Sequence, residues 1–211
     1  ADTAGISTNV DKAGVAADEA VANTTALVAG DLVINGIAVG ASSGTADTAS
    51  TDLKASSAIS KAAAINAVSD QTGVVATVDA NTVEGTSIDG ALAAANGAIT
   101  INDVSFDIDY GAAAAGEPVK NELNKIADTI NAKAEATGVS ASVVTTDTGF
   151  RIDLTAEDGR NIALGGDGTM TTQTFGLASS GIAAAELTYT GNVTLVSEDG
   201  SDINITSTTG D

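Results

Sequence analysis

The sequence contains no cysteine, no histidine and no tryptophan, and a single proline in 211 residues. Without Cys and His there can be no disulfide, no thiolate nucleophile, no zinc site built on those ligands and no triad with an imidazole base. A chain without Cys also runs no risk of wrong oxidation during export, which fits secretion. Aromatic residues are nearly as scarce, three Phe and two Tyr against 41 Ala. Any core must therefore be thin and aliphatic. Positive charge is the next shortage. Eight Lys and Arg face 28 Asp and Glu, a formal charge of -20, so a polyanion would be repelled and no counterions released on contact. Nucleic acid and anionic membrane are poor partners on this ground, and neither nucleic acid nor membrane is expected as a partner. No apolar run reaches the roughly 18 residues of a spanning helix. Ala1 leads into Asp2 and Gly5 without a basic and then apolar leader pattern, and the expectation is a soluble piece of a longer chain.

What the sequence does have is internal repetition. Leu32-Val33-Ile34-Asn35-Gly36-Ile37-Ala38-Val39 is matched 67 positions later by Ile99-Thr100-Ile101-Asn102-Asp103-Val104-Ser105-Phe106. Residues 64–78, AINAVSDQTGVVATV, are matched 65 positions later by TINAKAEATGVSASV, with 8 of 15 identities. A third echo pairs Leu154-Thr155-Ala156-Glu157-Asp158-Gly159 with Leu195-Val196-Ser197-Glu198-Asp199-Gly200, each followed by an Ile, Ile162 or Ile203.

The second copy has all its parts between Ile99 and Leu164. Phe106, Ile108 and Tyr110 alternate with Asp107 and Asp109, the period of a strand with one wet face. Pro118 suits a first helical turn, and Val119, Leu123, Ile126, Ala127, Ile130 and Ala134 follow at helical spacing, with Gly138 as the stop. A strand through Val139, Ala141 and Val143 is expected next. Phe150, Ile152 and Leu154 then alternate with Arg151, Asp153 and Thr155, and Asp158-Gly159 is read as the turn of an antiparallel hairpin returning through Ile162 and Leu164.

The first copy has its strand at Leu32 to Val39 and a helix near Ser57 to Val68, with Ile59, Ala62, Ala63 and Ile65 as inward candidates. It lacks a hairpin after Val78. Leu187, Tyr189, Val193, Leu195, Ile203 and Ile205 would supply it after a long excursion. The predicted fold class is therefore α+β: two small units, each an antiparallel β-sheet covered by one helix in a β-α-β-hairpin repeat, the second inserted into the first. The first unit would comprise residues 1–85 plus 186–211 and the inserted unit residues 86–185. Two tandem domains split near Gly97 are the alternative.

The letters shared by the copies resemble the flagellin-hook IN motif of bacterial flagellins and hook-associated proteins. The resemblance rests on Ile34-Asn35-Gly36, Ile65-Asn66-Ala67 and Thr72-Gly73-Val74, and on Ile101-Asn102, Ile130-Asn131-Ala132, Thr137-Gly138-Val139 and Glu157-Asp158-Gly159. Asp103 stands where the motif prefers Gly. The resemblance spans about residues 32–164 and the hairpin near Leu195. It implies an outer, surface-exposed region of a filament subunit: a structural, antigenic spacer on the exterior of the flagellum used in motility, extracellular, with neighbouring flagellin subunits as partners and the isolated piece monomeric. A flagellar cap or hook-associated head is the alternative within the family. A carbohydrate-binding or adhesive surface module is the alternative outside it.

Carboxylates are the only plentiful reactive groups, and each cluster of them also has an ordinary structural role open to it. Asp107 and Asp109 could ligate Ca²⁺ from one strand face, but polar alternation opposite a buried face is ordinary. Glu157-Asp158-Gly159 and Glu198-Asp199-Gly200 could be calcium turns, yet their recurrence at one place favours turn geometry. Gly165-Gly166-Asp167-Gly168 lacks the Lys-Ser or Lys-Thr of a phosphate loop and is read as a flexible loop. Residues three before Lys54, Lys61, Lys120 and Lys125 are Thr51, Ala58, Glu117 and Glu122, so no Ser-Lys nucleophile is spaced correctly. Asn23-Thr24-Thr25, Asn192-Val193-Thr194 and Asn204-Ile205-Thr206 match the N-linked acceptor pattern and are given no function. The chain is expected to be no enzyme, with no catalytic residue, no cofactor and no metal.

Overall fold

The computed structural model describes residues 25–88, 95–110, 119–166, 177 and 186–207. The first strands among the described residues form a hairpin, β1 (Leu32–Ile34) and β2 (Ile37–Ala38), closed by Asn35-Gly36. Both turn residues have positive φ, 51° and 83°, as a two-residue turn matched to strand twist requires. Ser57 accepts a hydrogen bond from the Ser60 N–H at 3.1 Å and so caps α1 (Ala58–Asn66). One short turn, α2 (Ser69–Thr72), follows and ends at Gly73, φ 67°, whose N–H donates to the Ser69 carbonyl. Strands β3 (Val74–Val78) and β4 (Asn81–Val83) come next.

The pattern then starts again. Strands β5 (Ala95–Ile101) and β6 (Val104–Tyr110) form a hairpin through Asn102-Asp103. Both of these turn residues again have positive φ, 48° and 65°. Helix α3 (Val119–Asn131) is followed by the single turn α4 (Ala134–Thr137), which ends at Gly138, φ 72°. Strands β7 (Ser140–Thr145), β8 (Phe150–Ala156) and β9 (Ile162–Gly166) follow. The last strands among the described residues are β10 (Leu187–Tyr189), β11 (Val193–Ser197) and β12 (Ile205–Ser207).

The fold is α+β, with small antiparallel sheets and short helices. Two hydrophobic clusters fill it. The first gathers Leu32, Ile34, Val39, Ala58, Ala62, Ile65, Val74, Ala76, Val193 and Leu195. The larger second cluster is built around Phe106, Leu123, Ile126, Ile130, Ile152, Leu154, Ile162 and Leu164. Around the first, the strand orders are β12-β1-β2 and β11-β3; around the second they are β10-β9-β5-β6 and β4-β8-β7. Registers agree between copies. Ile34 faces Ile205 as Ile101 faces Leu164, and Ala76 faces Leu195 as Ala141 faces Leu154.

Three features differ from the sequence reading. The Glu-Asp-Gly segments close no hairpin: β8 and β9 lie in different sheets, and so do β11 and β12. Both edges of β8 are taken by β4 and β7 and both edges of β9 by β5 and β10, so the turn is a corner that carries the chain from one sheet to the next. Second, Leu187 and Tyr189 pair with Leu164 and Ile162, while Asn81 to Val83 pair with β8. These short strands tie the two halves of the molecule together. Third, the second predicted helix is broken before Ala134, while the first ends within two residues of Val68 as its spacing predicts. Val68 and Lys133 have φ near -119° and ψ of 12° and 20°, which leaves Ala134 to open a new turn. Ala63 faces solvent, while Ala58, Ala62 and Ile65 face inward. Pro118 and Asn23 lie outside the described residues.

Candidate functional site

The shared letters converge on two polar joints, each built twice. In the first, the Asn35 side chain donates from Nδ2 to the Thr72 carbonyl at 2.8 Å and accepts at Oδ1 from the Asn204 N–H at 2.9 Å. Its own N–H donates to the Asn204 carbonyl at 2.8 Å. Asn102 repeats all three bonds: Nδ2 to the Thr137 carbonyl at 2.9 Å, Oδ1 from the Ala163 N–H at 2.8 Å, and N–H to the Ala163 carbonyl at 2.9 Å. One amide side chain thus pins a hairpin turn, the end of a short helix and a distant strand.

The second joint lies at the end of the long helix. Asn66 gives Nδ2 to the Ala76 carbonyl at 2.9 Å and takes the Ala76 N–H on Oδ1 at 2.7 Å. Asn131 does the same with Ala141, at 2.9 and 2.8 Å. A side-chain amide that both donates to and accepts from one residue imitates a neighbouring strand, so it covers the outer edges of β3 and β7. Beside it, Thr72 Oγ1 accepts from the Val74 N–H at 3.2 Å and Thr137 Oγ1 from the Val139 N–H at 3.1 Å.

The carboxylates are turned onto backbone in the same way. Asp158 Oδ1 accepts from the Arg160 N–H at 3.1 Å, and Asp199 Oδ1 accepts from the Ser201 N–H at 2.9 Å. Gly159 and Gly200 follow with φ 71° and 77°. Burial would raise the Asp158 carboxyl, but hydrogen bonds and charge from Arg160 hold it below the usual carboxylate range. The Ser201 N–H, with the Ser201 and Ser197 side chains, likewise lowers Asp199. Asp107 and Asp109 sit on β6 opposite Ala98 and Asn96 and are exposed. Among the described residues no three or more His, Cys, Asp or Glu gather in a group able to hold a metal. Gly165 and Gly166, read as part of a loop, belong to β9. Gly165 lies against Thr100, where a Cβ would collide with the hydroxyl.

A polar seam between the two clusters was not legible in the sequence. Asn161, 1% exposed, donates its N–H to Ser50 Oγ at 2.9 Å and its Nδ2 to the carbonyls of Asp52 and Leu53 at 3.0 and 3.2 Å. Asn81 Nδ2 reaches the carbonyls of Arg160 and Tyr189, both at 2.9 Å. Asp47, 2% exposed, accepts from the N–H groups of Ala49 and Ser50 at 2.9 Å. Burial pushes its carboxyl up, but hydrogen bonds from Ser50, Ser57 and Ala49 outweigh that and hold it low. Burial raises the Glu186 carboxyl, and the charges of Asp103 and Asp52 raise it further. Isolated buried Asn residues beside apolar strand positions, as at 81 and 161, are the one sequence signal that could have pointed here.

No family model matches the chain, and no curated protein matches it. Solved structures do. The D2-D3 domains of the flagellar cap protein FliD from Escherichia coli are 20% identical, covering 64% of this chain and 86% of that chain with a TM-score of 0.35. The D1-D2-D3 domains of the same protein are 19% identical, covering 66% of this chain with a TM-score of 0.27. This chain spans about half, 54%, of that longer one. No helix among the described residues is long and apolar enough to cross a membrane.

Proposed function

We propose that this chain is a non-catalytic, surface-exposed structural module of an extracellular bacterial flagellar protein, the outer region of a flagellin. The observation that carries the reading is that Asn35 and Asn102, and likewise Asn66 and Asn131, the asparagines behind the flagellin-hook IN resemblance, make the same side-chain hydrogen bonds in both copies, all of them to backbone. They set chain shape and leave no reactive group poised. The 20 net negative charges keep neighbouring outer faces apart and soluble on a filament. Its partners on this reading are adjacent subunits, and the piece alone is monomeric. The organisation that goes with it is a first unit, residues 1–85 with 186–211, interrupted by a second, residues 86–185. Pairing of β11 with β3 and of β12 with β1 supports that nesting.

The second reading is the head of a cap or hook-associated protein, the kind of protein named for the two solved structures. At TM-scores of 0.35 and 0.27 that likeness does not choose between the two, but location does. Antibodies raised against this chain and gold-labelled on native cells should decorate the filament along its length if it is flagellin. Label confined to the tip or the hook junction selects the second reading. Label absent from the flagellum rejects both.

A further inference from the structure

We propose that Asn35-Gly36 is a deamidation site that folding holds shut. Asn followed by Gly is the dipeptide most open to ring closure, because glycine carries no side chain to shield its backbone nitrogen. The Gly36 nitrogen attacks Cγ of Asn35; an N–Cγ bond forms, the Cγ–Nδ2 bond breaks, and Nδ2 leaves as ammonia with the proton from the Gly36 amide. Water then opens the five-membered ring at either carbonyl and leaves aspartate or isoaspartate, one negative charge richer. Water is at hand, since Asn35 is solvent-exposed.

Geometry withholds the reaction. Nδ2 is tied to the Thr72 carbonyl, Oδ1 to the Asn204 N–H, and the Asn35 N–H to the Asn204 carbonyl. For Cγ to swing over the Gly36 nitrogen, both side-chain bonds must break, so local opening sets the rate. The second copy is a built-in control. Asn102 makes the same three bonds, but Asp103 follows it and it is 3% exposed. The product cannot rebuild the joint. A carboxylate at position 35 has no donor for the Thr72 carbonyl and sets charge against it, and isoaspartate adds a backbone carbon to a two-residue turn.

The test compares the native chain with the same chain in guanidinium chloride, at one mildly alkaline pH and temperature, by peptide mapping and mass spectrometry over time. The Asn35 peptide should convert at least about tenfold faster in the denatured chain, as protection by a closed structure requires. The Asn102 peptide should change little in either state, and Asn96-Gly97, the same dipeptide, reports that the denatured reaction is running. Equal Asn35 rates in the two states would overturn the proposal. Asn204→Pro removes the N–H that holds Oδ1 and should speed the reaction in the folded chain. An unchanged rate in a variant whose circular dichroism is native would overturn the role of that bond. Asn35→Asp should melt below the wild type, and an unchanged melting temperature would overturn the claim that the product cannot rebuild the joint.

Discussion

The two copies of the repeat share their hydrogen bonds and differ in what surrounds them. At Gly73 nothing lies within 4 Å of where a Cβ would stand, whereas at Gly138 the same space holds the Arg160 guanidinium. Arg160 forks onto Asp158 and reaches the Thr137 carbonyl at 3.4 Å; its counterpart in the first copy is Ser201. Phe106 fills the second cluster at the place where the first has Val39. The backbone-directed bonds define the unit, and packing around them is free to vary. A duplicated unit can therefore keep its shape while one copy acquires a thicker core and a charged clamp.

The sharpest way to stress that difference is in the cores. Phe106→Ala should cost about 3–5 kcal/mol and Val39→Ala about 1–2 kcal/mol, since both side chains are buried but leave very different cavities. Denaturant titration of the two variants checks this, and equal losses would mean that the clusters are not separately packed. Next come the joints. Asn102→Ala leaves the Ala163 N–H without its partner in a buried setting, at about 1–3 kcal/mol, and leaves the Thr137 carbonyl with only the 3.4 Å bond from Arg160. Asn35→Ala removes the same bonds at an exposed turn where water replaces them, and should lose clearly less.

The caps give a smaller contrast. Gly73→Ala meets only the left-handed backbone penalty, about 1 kcal/mol, while Gly138→Ala must also displace Arg160. Its thermal shift should be the larger of the two, and Arg160→Ala should bring them together. Smallest is the acid response. The folded Asp47 carboxyl lies below its unfolded value of about 3.9, so its stabilisation is complete above that pH and is lost as pH falls through the folded value. Asp47→Asn should therefore flatten the fall in melting temperature between about pH 5 and about pH 2. A variant curve parallel to the wild type would remove Asp47 from the seam's stability.

Much of this was legible because it is periodic or repeated. The alternation of Phe106, Asp107, Ile108 and Asp109, the stripe Val119, Leu123, Ile126, Ile130, and the recurrence of Ile-Asn and Thr-Gly-Val each mark an element that forms. Asp158-Gly159 misled because its local chemistry specifies a turn but not which strand edges remain open for the returning chain. The break at Lys133 was hidden, since the helical stripe continues through Ala134 while the backbone does not. The seam through Asn81 and Asn161 depends on residues over 70 positions apart, and no local pattern encodes such a pairing.

Amide hydrogen exchange followed by NMR reaches the duplicated joints most directly. The N–H groups of Ala76, Ala141, Ala163 and Asn204 donate only to the side chains of Asn66, Asn131, Asn102 and Asn35 in the bonds described. All four should exchange slowly in the wild type, and each Asn→Ala change should release its own amide while its counterpart in the other copy stays protected. Free exchange of Ala76 and Ala141 in the native chain, or release of both by a single substitution, would contradict a unit built twice on the same backbone bonds.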